Sequence, residues 1–128
     1  MSRELDANVV YGFVLEANTP VEDLPEFYRN VMEQDSNPYY NSPDREFNLQ
    51  GSINCTLQKR HTVLDTDMPG SGDDSQIVVY VRSLMTTATN EARPLDLLTP
   101  TEFEKTHIDD FARIFGKKPR WIVYPTYN

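Results

Sequence analysis

The stretch Val9-Val10-Tyr11-Gly12-Phe13-Val14-Leu15 decides the reading of this chain. Six of its seven residues are apolar, so alternation selects no solvent side. Short runs of this kind, rich in β-branched and aromatic residues, read as strands buried on both faces. Gln76–Leu84 holds a second such core, Ile77-Val78-Val79-Tyr80-Val81. The two are expected as neighbours at the centre of one sheet. The rest of the chain then supplies edges, covers and connections.

Working outward, the first strand spans about 8–16. Thr19 with Glu22 offers a capping box, with Pro20 at the first helical position, and Asp23 with Glu26 offers a second helix start. Leu24, Phe27, Tyr28, Val31 and Met32 fall at i, i+3, i+4, i+7 and i+8. That stripe predicts a helix ending near Gln34, followed by a loop over 35–44. Next, Phe47, Leu49, Gly51, Ile53, Cys55 and Leu57 alternate with Asn48, Gln50, Ser52, Asn54, Thr56 and Gln58. The alternation predicts a one-sided edge strand over Phe47–Leu57. The polar stretch Asp65–Ser75, with Pro69-Gly70-Ser71-Gly72, is expected to return as a hairpin into the strand at Gln76.

Beyond Leu84 no period is sustained, and Leu95, Leu97 and Leu98 are expected to pin this loop to the body. Thr99-Pro100-Thr101-Glu102 supplies an N-cap, a proline at N1 and a glutamate at N3. Phe103, His107, Phe111, Ile114 and Phe115 then mark a helical face. Gly116 is the expected C′ residue, and Lys117-Lys118 suit the negative helix end. Arg120–Tyr124 is the last strand, stopped by Pro125. The predicted order, β-α-β-β-α-β, is the ferredoxin-like pattern: a single α+β domain over 1–128, with an antiparallel sheet ordered 4-1-3-2 and two helices on one face. The bare face carries either Val10, Val14, Val78 and Tyr80, or Tyr11, Phe13, Ile77 and Val79. The 85–98 loop, the C-terminal tail, a second copy or a foreign partner is expected to cover it.

The net charge of −8 argues against direct nucleic-acid binding, which needs clustered Lys and Arg, and suits a basic protein partner. Cys55 is the one cysteine, so no internal disulfide forms, and a reducing, cytoplasmic setting is expected. Met1–Asp6 lacks an apolar signal segment, and no run reaches the length of a membrane span, so no membrane partner is expected. Asn54-Cys55-Thr56 fits the glycosylation pattern but falls inside the expected strand, so it is read as chance.

Tyr11 and Phe13 resemble the aromatic pair on the first strand of RNA-recognition motifs. That family's third-strand signature is absent from Gln76–Leu84, and RNA binding is not expected. Asp65, Asp67 and Gly70 match three positions of a calcium loop, but Pro69 and Gln76 stand where two ligands belong. His61, His107 and Cys55 lack the tight spacing of a zinc site, so no metal and no cofactor is assigned. His107 and Asp110 are spaced to pair on one helix. Glu102, Glu104, Asp109 and Asp110 read as a wet helix face, and no catalytic residue is assigned.

The expected interface residues are Tyr11, Phe13 and Tyr80 on the sheet, with Tyr39, Tyr40, Tyr124 and Tyr127 in exposed segments. The expected function is that of a small acidic intracellular protein-binding module: an assembly subunit, an immunity-type protein or an inhibitor of a basic or nucleic-acid-binding enzyme. It is also a candidate homodimer. The rival reading is a small-molecule-binding or enzymatic domain using the open sheet face.

Overall fold

The computed structural model describes residues 5–40, 47–69, 76–88 and 98–127. The glycine-containing turn at 70–75, the loop residues 41–46, and Leu95 and Leu97 lie outside the described residues. The chain runs β1 (Leu5–Glu16), α1 (Glu26–Gln34), α2 (Leu49–Arg60), β2 (Leu64–Asp67), β3 (Gln76–Val81), β4 (Thr86–Ala88), α3 (Glu102–Ile114) and β5 (Arg120–Tyr127). Short 3₁₀ turns precede α1 at Val21–Asp23 and separate β3 from β4 at Arg82–Leu84.

The α+β class and the antiparallel sheet are observed, and β1 and β3 are hydrogen-bonded neighbours from Gly12↔Tyr80 to Glu16↔Gln76. The count and path differ from the expected four strands, two helices and order 4-1-3-2. Among the described residues, five strands run β2-β3-β1-β4, with β5 on β1, and there are three α-helices. The main correction is that Phe47–Leu57 is not an edge strand. Leu49–Arg60 is a helix. Leu49, Ile53 and Leu57 are four residues apart, a spacing that serves both period 2 and period 3.6. The deciding residues are polar. Ser52 and Thr56 complete a buried face at i+3 and i+7, and Asn48 caps the start by accepting from the Gly51 N–H at 2.9 Å. Gly51 sits beneath the Tyr39 ring, 2.4 Å from where its Cβ would be, so a side chain there would displace that ring.

The other helix ends show smaller shifts. Thr19 donates to the Glu16 carbonyl instead of capping a helix, and α1 begins after Pro25. α3 is capped by Thr101, with Glu104 completing the capping box, two residues later than Thr99 and Glu102 would place it. Its far end follows expectation. Gly116 has φ +68°, the Lys117 N–H donates to the Ala112 carbonyl and the Gly116 N–H to the Arg113 carbonyl, which is the Schellman arrangement. β5 continues through Pro125 to Tyr127, because as an edge strand it can present a residue lacking an N–H to its unpaired side.

The helices share one face of the sheet. Phe13, Leu15, Ile77, Val79, Val81 and Leu64 pack with Leu24, Tyr28, Met32, Leu49, Ile53, Ile108 and Phe111 in one core. Of the predicted α1 stripe, Phe27 is the exception and is 63% exposed. Phe103, expected on the inner face of α3, is also exposed. The opposite face carries Val10, Val78, Tyr80 and Tyr124 as a second, smaller core.

That second core exists because the sheet is strongly coiled. Tyr124 on β5 pairs with Asn8, whereas Asp67 on β2 pairs with Val78, which pairs with Val14. In a flat sheet the two would stand roughly 20 Å apart along the strands and about 14 Å across them. Yet the Tyr124 hydroxyl donates to Asp67 Oδ2 at 2.7 Å. The face away from the helices is therefore concave, and its corners meet over Val10 and Val78. Gly12 stands at the turning point, with the Val79 carbonyl oxygen only 1.8 Å from where a Cβ would sit.

Three substitutions test this packing. Gly12→Ala should cost more than the roughly 1–3 kcal/mol typical of overpacking, because the obstacle is backbone. Gly116→Ala, strained in φ but facing open space, should cost about 1–2 kcal/mol. Equal losses in urea denaturation would contradict the close approach at Gly12. Phe111→Ala, at a fully buried ring, should cost about 3–5 kcal/mol by the same measurement.

Candidate functional site

A cleft of about 620 Å³ lies where α1, α2 and α3 meet. α1 contributes Phe27, Tyr28 and Val31; α2 and its end contribute Thr56, Arg60 and His61; α3 contributes Asp110, Phe111, Arg113 and Ile114. The floor is aromatic. Phe111 stands edge-on to Tyr28, with centroids 6.2 Å apart, and Phe115 closes the cluster at 5.1 Å from Tyr28. Phe27, on the flank of the α1 stripe, faces this cleft instead of the sheet.

The polar groups of the walls are committed to one another. Tyr28 donates to Ser52 Oγ at 2.8 Å, since the Ser52 hydroxyl is itself directed at Met32 Sδ, 2.9 Å away. Burial raises the Tyr28 phenol above its ordinary value, although the bonds to Ser52 and Thr56 act the other way. Arg60 grips Asp35 with both arms of its fork, at 2.7 and 2.8 Å, and this bond holds the Asp35 carboxyl below its usual range. Arg113 lies 3.4 Å from Asp110 on the rim.

The most unusual wall group is a histidine pair. His61, capping the C-terminus of α2, and His107 on α3 meet Nδ1 to Nδ1 at 2.8 Å. One ring must carry its proton on Nδ1 and the other must present a lone pair there. Phe103 stacks edge-on to His107 at 4.5 Å, and Phe111 lies 5.3 Å from His61. Burial lowers the His61 pKa, His107 and Arg60 lower it further, and Asp110 opposes them. The two histidines thus converge as a zinc site would need, but Cys55 does not join them. Among the described residues, no group of three or more His, Cys, Asp or Glu is placed to hold a metal ion. Separation by 46 residues hides the pair from any motif reading.

The tyrosines and phenylalanine singled out from sequence are placed elsewhere. Phe13 is buried in the main core, and Tyr11 is half-buried, edge-on to Trp121 at 5.4 Å. Tyr80 and Tyr124 are buried on the concave face. Burial, with Asp65 and Asp67 nearby, pushes Tyr80 up to about 12, and burial with the Asp67 bond raises Tyr124 further. Tyr39 lies over Gly51, its N–H accepted by the buried Asn37 side chain, and Tyr40 packs against the core edge. The Tyr127 side chain lies outside what the structure describes. Asp65 and Asp67 are separated in role: one lies 3.6 Å from Arg82, the other holds Tyr124. Asp73 and Asp74 lie outside the described residues. No described helix is long and apolar enough to cross a membrane. A scan against protein-family models gives no match, and comparisons with curated proteins and with solved structures give no significant match.

The histidine pair makes stability pH-dependent with a definite sign. His61 has a folded pKa below its ordinary 6.5, so the folded chain binds fewer protons than the unfolded one. Its contribution is complete above 6.5 and is lost as pH falls from there through the lowered value. Thermal unfolding followed from pH 7.5 to 5 should show a falling midpoint, with a shallower fall in His61→Asn. Parallel curves for the two proteins would rule this out.

Proposed function

We propose that this protein is a protein-binding module whose three-helix cleft receives an apolar segment of its partner. The observation that carries this reading is Phe27, a phenylalanine 63% exposed at the lip of an aromatic-floored cleft. An apolar concavity rimmed by charge is the usual mark of a protein interface, and apolar anchors at helical spacing fill such grooves. The state of the wall groups supports it as well. A small-molecule or catalytic site needs several polar groups free to converge on its ligand. Here Tyr28, Arg60 and His61 are each engaged by another residue of the chain. The concave face of the sheet gives less support, because Val10, Val78, Tyr80 and Tyr124 are buried within the one chain.

The fold fits a ferredoxin-like reading if β3 and β4 count as one strand interrupted by the Arg82–Leu84 turn. Both lie on the edge of β1 opposite β5, since Gly12 pairs with Tyr80 and Arg120 at once and Val9 with Thr86 and Val123. On that count Leu64–Asp67 becomes the second strand, the order becomes 4-1-3-2, and α2 is an added helix. The single cysteine and the acidic composition suit a reducing, cytoplasmic setting.

The test is affinity capture from extract of the native host, run side by side with wild type and Phe27→Glu. The exposed position predicts a stability change within about 0.5 kcal/mol for the variant. A partner held by wild type should be lost from Phe27→Glu. Retention at equal yield, or no partner on the wild type, would reject the cleft as the binding surface.

A further inference from the structure

A second surface, independent of the helix cleft, lies on the central strand. β1 pairs with β3 along one edge over Gly12–Glu16. On the other edge β5 pairs with Leu5 through Gly12 and begins at Arg120. From Phe13 onward that edge has no strand among the described residues. β5 joins the ladder only at Arg120, after the chain has left α3 through Gly116 and residues 117–119. Alternate residues of Phe13–Glu16 therefore direct backbone N–H and C=O groups at an open edge. The Glu16 carbonyl is taken by the Thr19 N–H and hydroxyl, and no other backbone hydrogen bond from the described loops reaches this edge.

The space beside this edge is real: a cavity of about 240 Å³ lined by Phe13, Val14, Lys117, Lys118, Arg120 and Ile122. Three of its six lining residues are cations. Arg60, Arg82 and Arg113 each have a carboxylate within 4 Å, whereas among the described residues Lys117, Lys118 and Arg120 have none. The C-terminus of α3 accounts for only part of this charge, because a helix end carries about −0.5 of an elementary charge. On a chain with net charge −8, three cations without a carboxylate within 4 Å among the described residues thus stand beside this strand edge.

We infer that the Phe13–Glu16 edge of β1 docks an extended, acidic segment of another protein, which adds to the sheet as a strand. Backbone hydrogen bonding would supply the attachment, and Lys117, Lys118 and Arg120 would select the charge. Up to the occupied Glu16 carbonyl the open edge is about 10 Å long, room for roughly three residues. Glu16 stands at its far end, so the acidic side chains belong near Arg120 and the end beside Glu16 takes apolar residues. A symmetric pairing with a second copy is the wrong occupant, because it would set the same three cations against each other.

The probe is a six-residue peptide of alternating aspartate and valine, compared with its lysine analogue and with an aspartate peptide N-methylated on alternate amides. Amide exchange at 13–16 is read by NMR, and affinity by titration on the full chain. The aspartate peptide should bind, slow exchange within 13–16, and weaken at least tenfold both with Lys117→Glu/Lys118→Glu and with N-methylation. Phe27→Glu should bind it as wild type does, which separates this site from the cleft. The inference fails if no binding is seen up to millimolar peptide, if the lysine analogue binds equally, or if N-methylation or the double variant changes nothing. Protection of these amides in the free protein would mean the chain occupies its own edge, which also overturns it.

Discussion

Everything in this fold passes through Gly12. At that residue β1 carries β3 on one edge and the start of β5 on the other, and the β3 backbone comes close enough to exclude any side chain. Before Gly12 the strand pairs with β4 and β5; after it, with β3 alone. The missing Cβ lets the sheet coil tightly enough for Tyr124 and Asp67, at distant corners, to share a hydrogen bond. In a run of apolar residues, the one without a side chain sets the geometry of the other six.

The two faces of the coiled sheet are held by different physics. The helix face is a conventional apolar core, with stacked aromatics around Phe111 and a buried Tyr28–Ser52–Met32 chain joining α1 to α2. The concave face has fewer apolar residues and relies on a tether between a phenol and a carboxylate. Burial of Tyr124 and Tyr80 keeps both phenols neutral, so Tyr124 acts as a donor to Asp67 and not as a competing anion. Such a tether orders the face, with Met85 and Ile122 packed against it. Val10 and Val78 are buried beneath.

The two central strands were legible because continuous apolar runs have one common explanation in a domain this size. The Gly116 helix end was legible because its signal is local chemistry. The segment at 47–58 was misread because Leu49, Ile53 and Leu57 satisfy both periods, and only Ser52 and Thr56 separate them. Reading those two as buried would have required their partners, Tyr28 and Met32, which lie 20 to 28 residues away. The cap at Thr101 lost to Thr99 because Thr99-Pro100 carries the proline signal, while Glu104 makes the stronger reciprocal bond. The cleft had no sequence signal at all. Phe27 and His61 are ordinary stripe and cap residues until three helices converge on them.

The charge distribution is finer-grained than the composition. A net charge of −8 describes the whole surface, but recognition depends on which charges are free. Arg60 neutralises Asp35 at a helix end, and Lys59 also donates to the Asp35 carbonyl. These cations are consumed in building the α1–α2 corner. Glu104 is likewise held by Thr101 and Ser83, which keeps its carboxyl below the usual range. The cations after α3 are not consumed in this way: Gly116 turns the chain, and Lys117 and Lys118 fall between elements with no carboxylate within 4 Å among the described residues. A helix stop, explicable as local grammar, leaves a basic strip beside the central strand. Function on such a chain is carried by what the fold leaves unpaired, and that is decided at the ends of its elements more than within them.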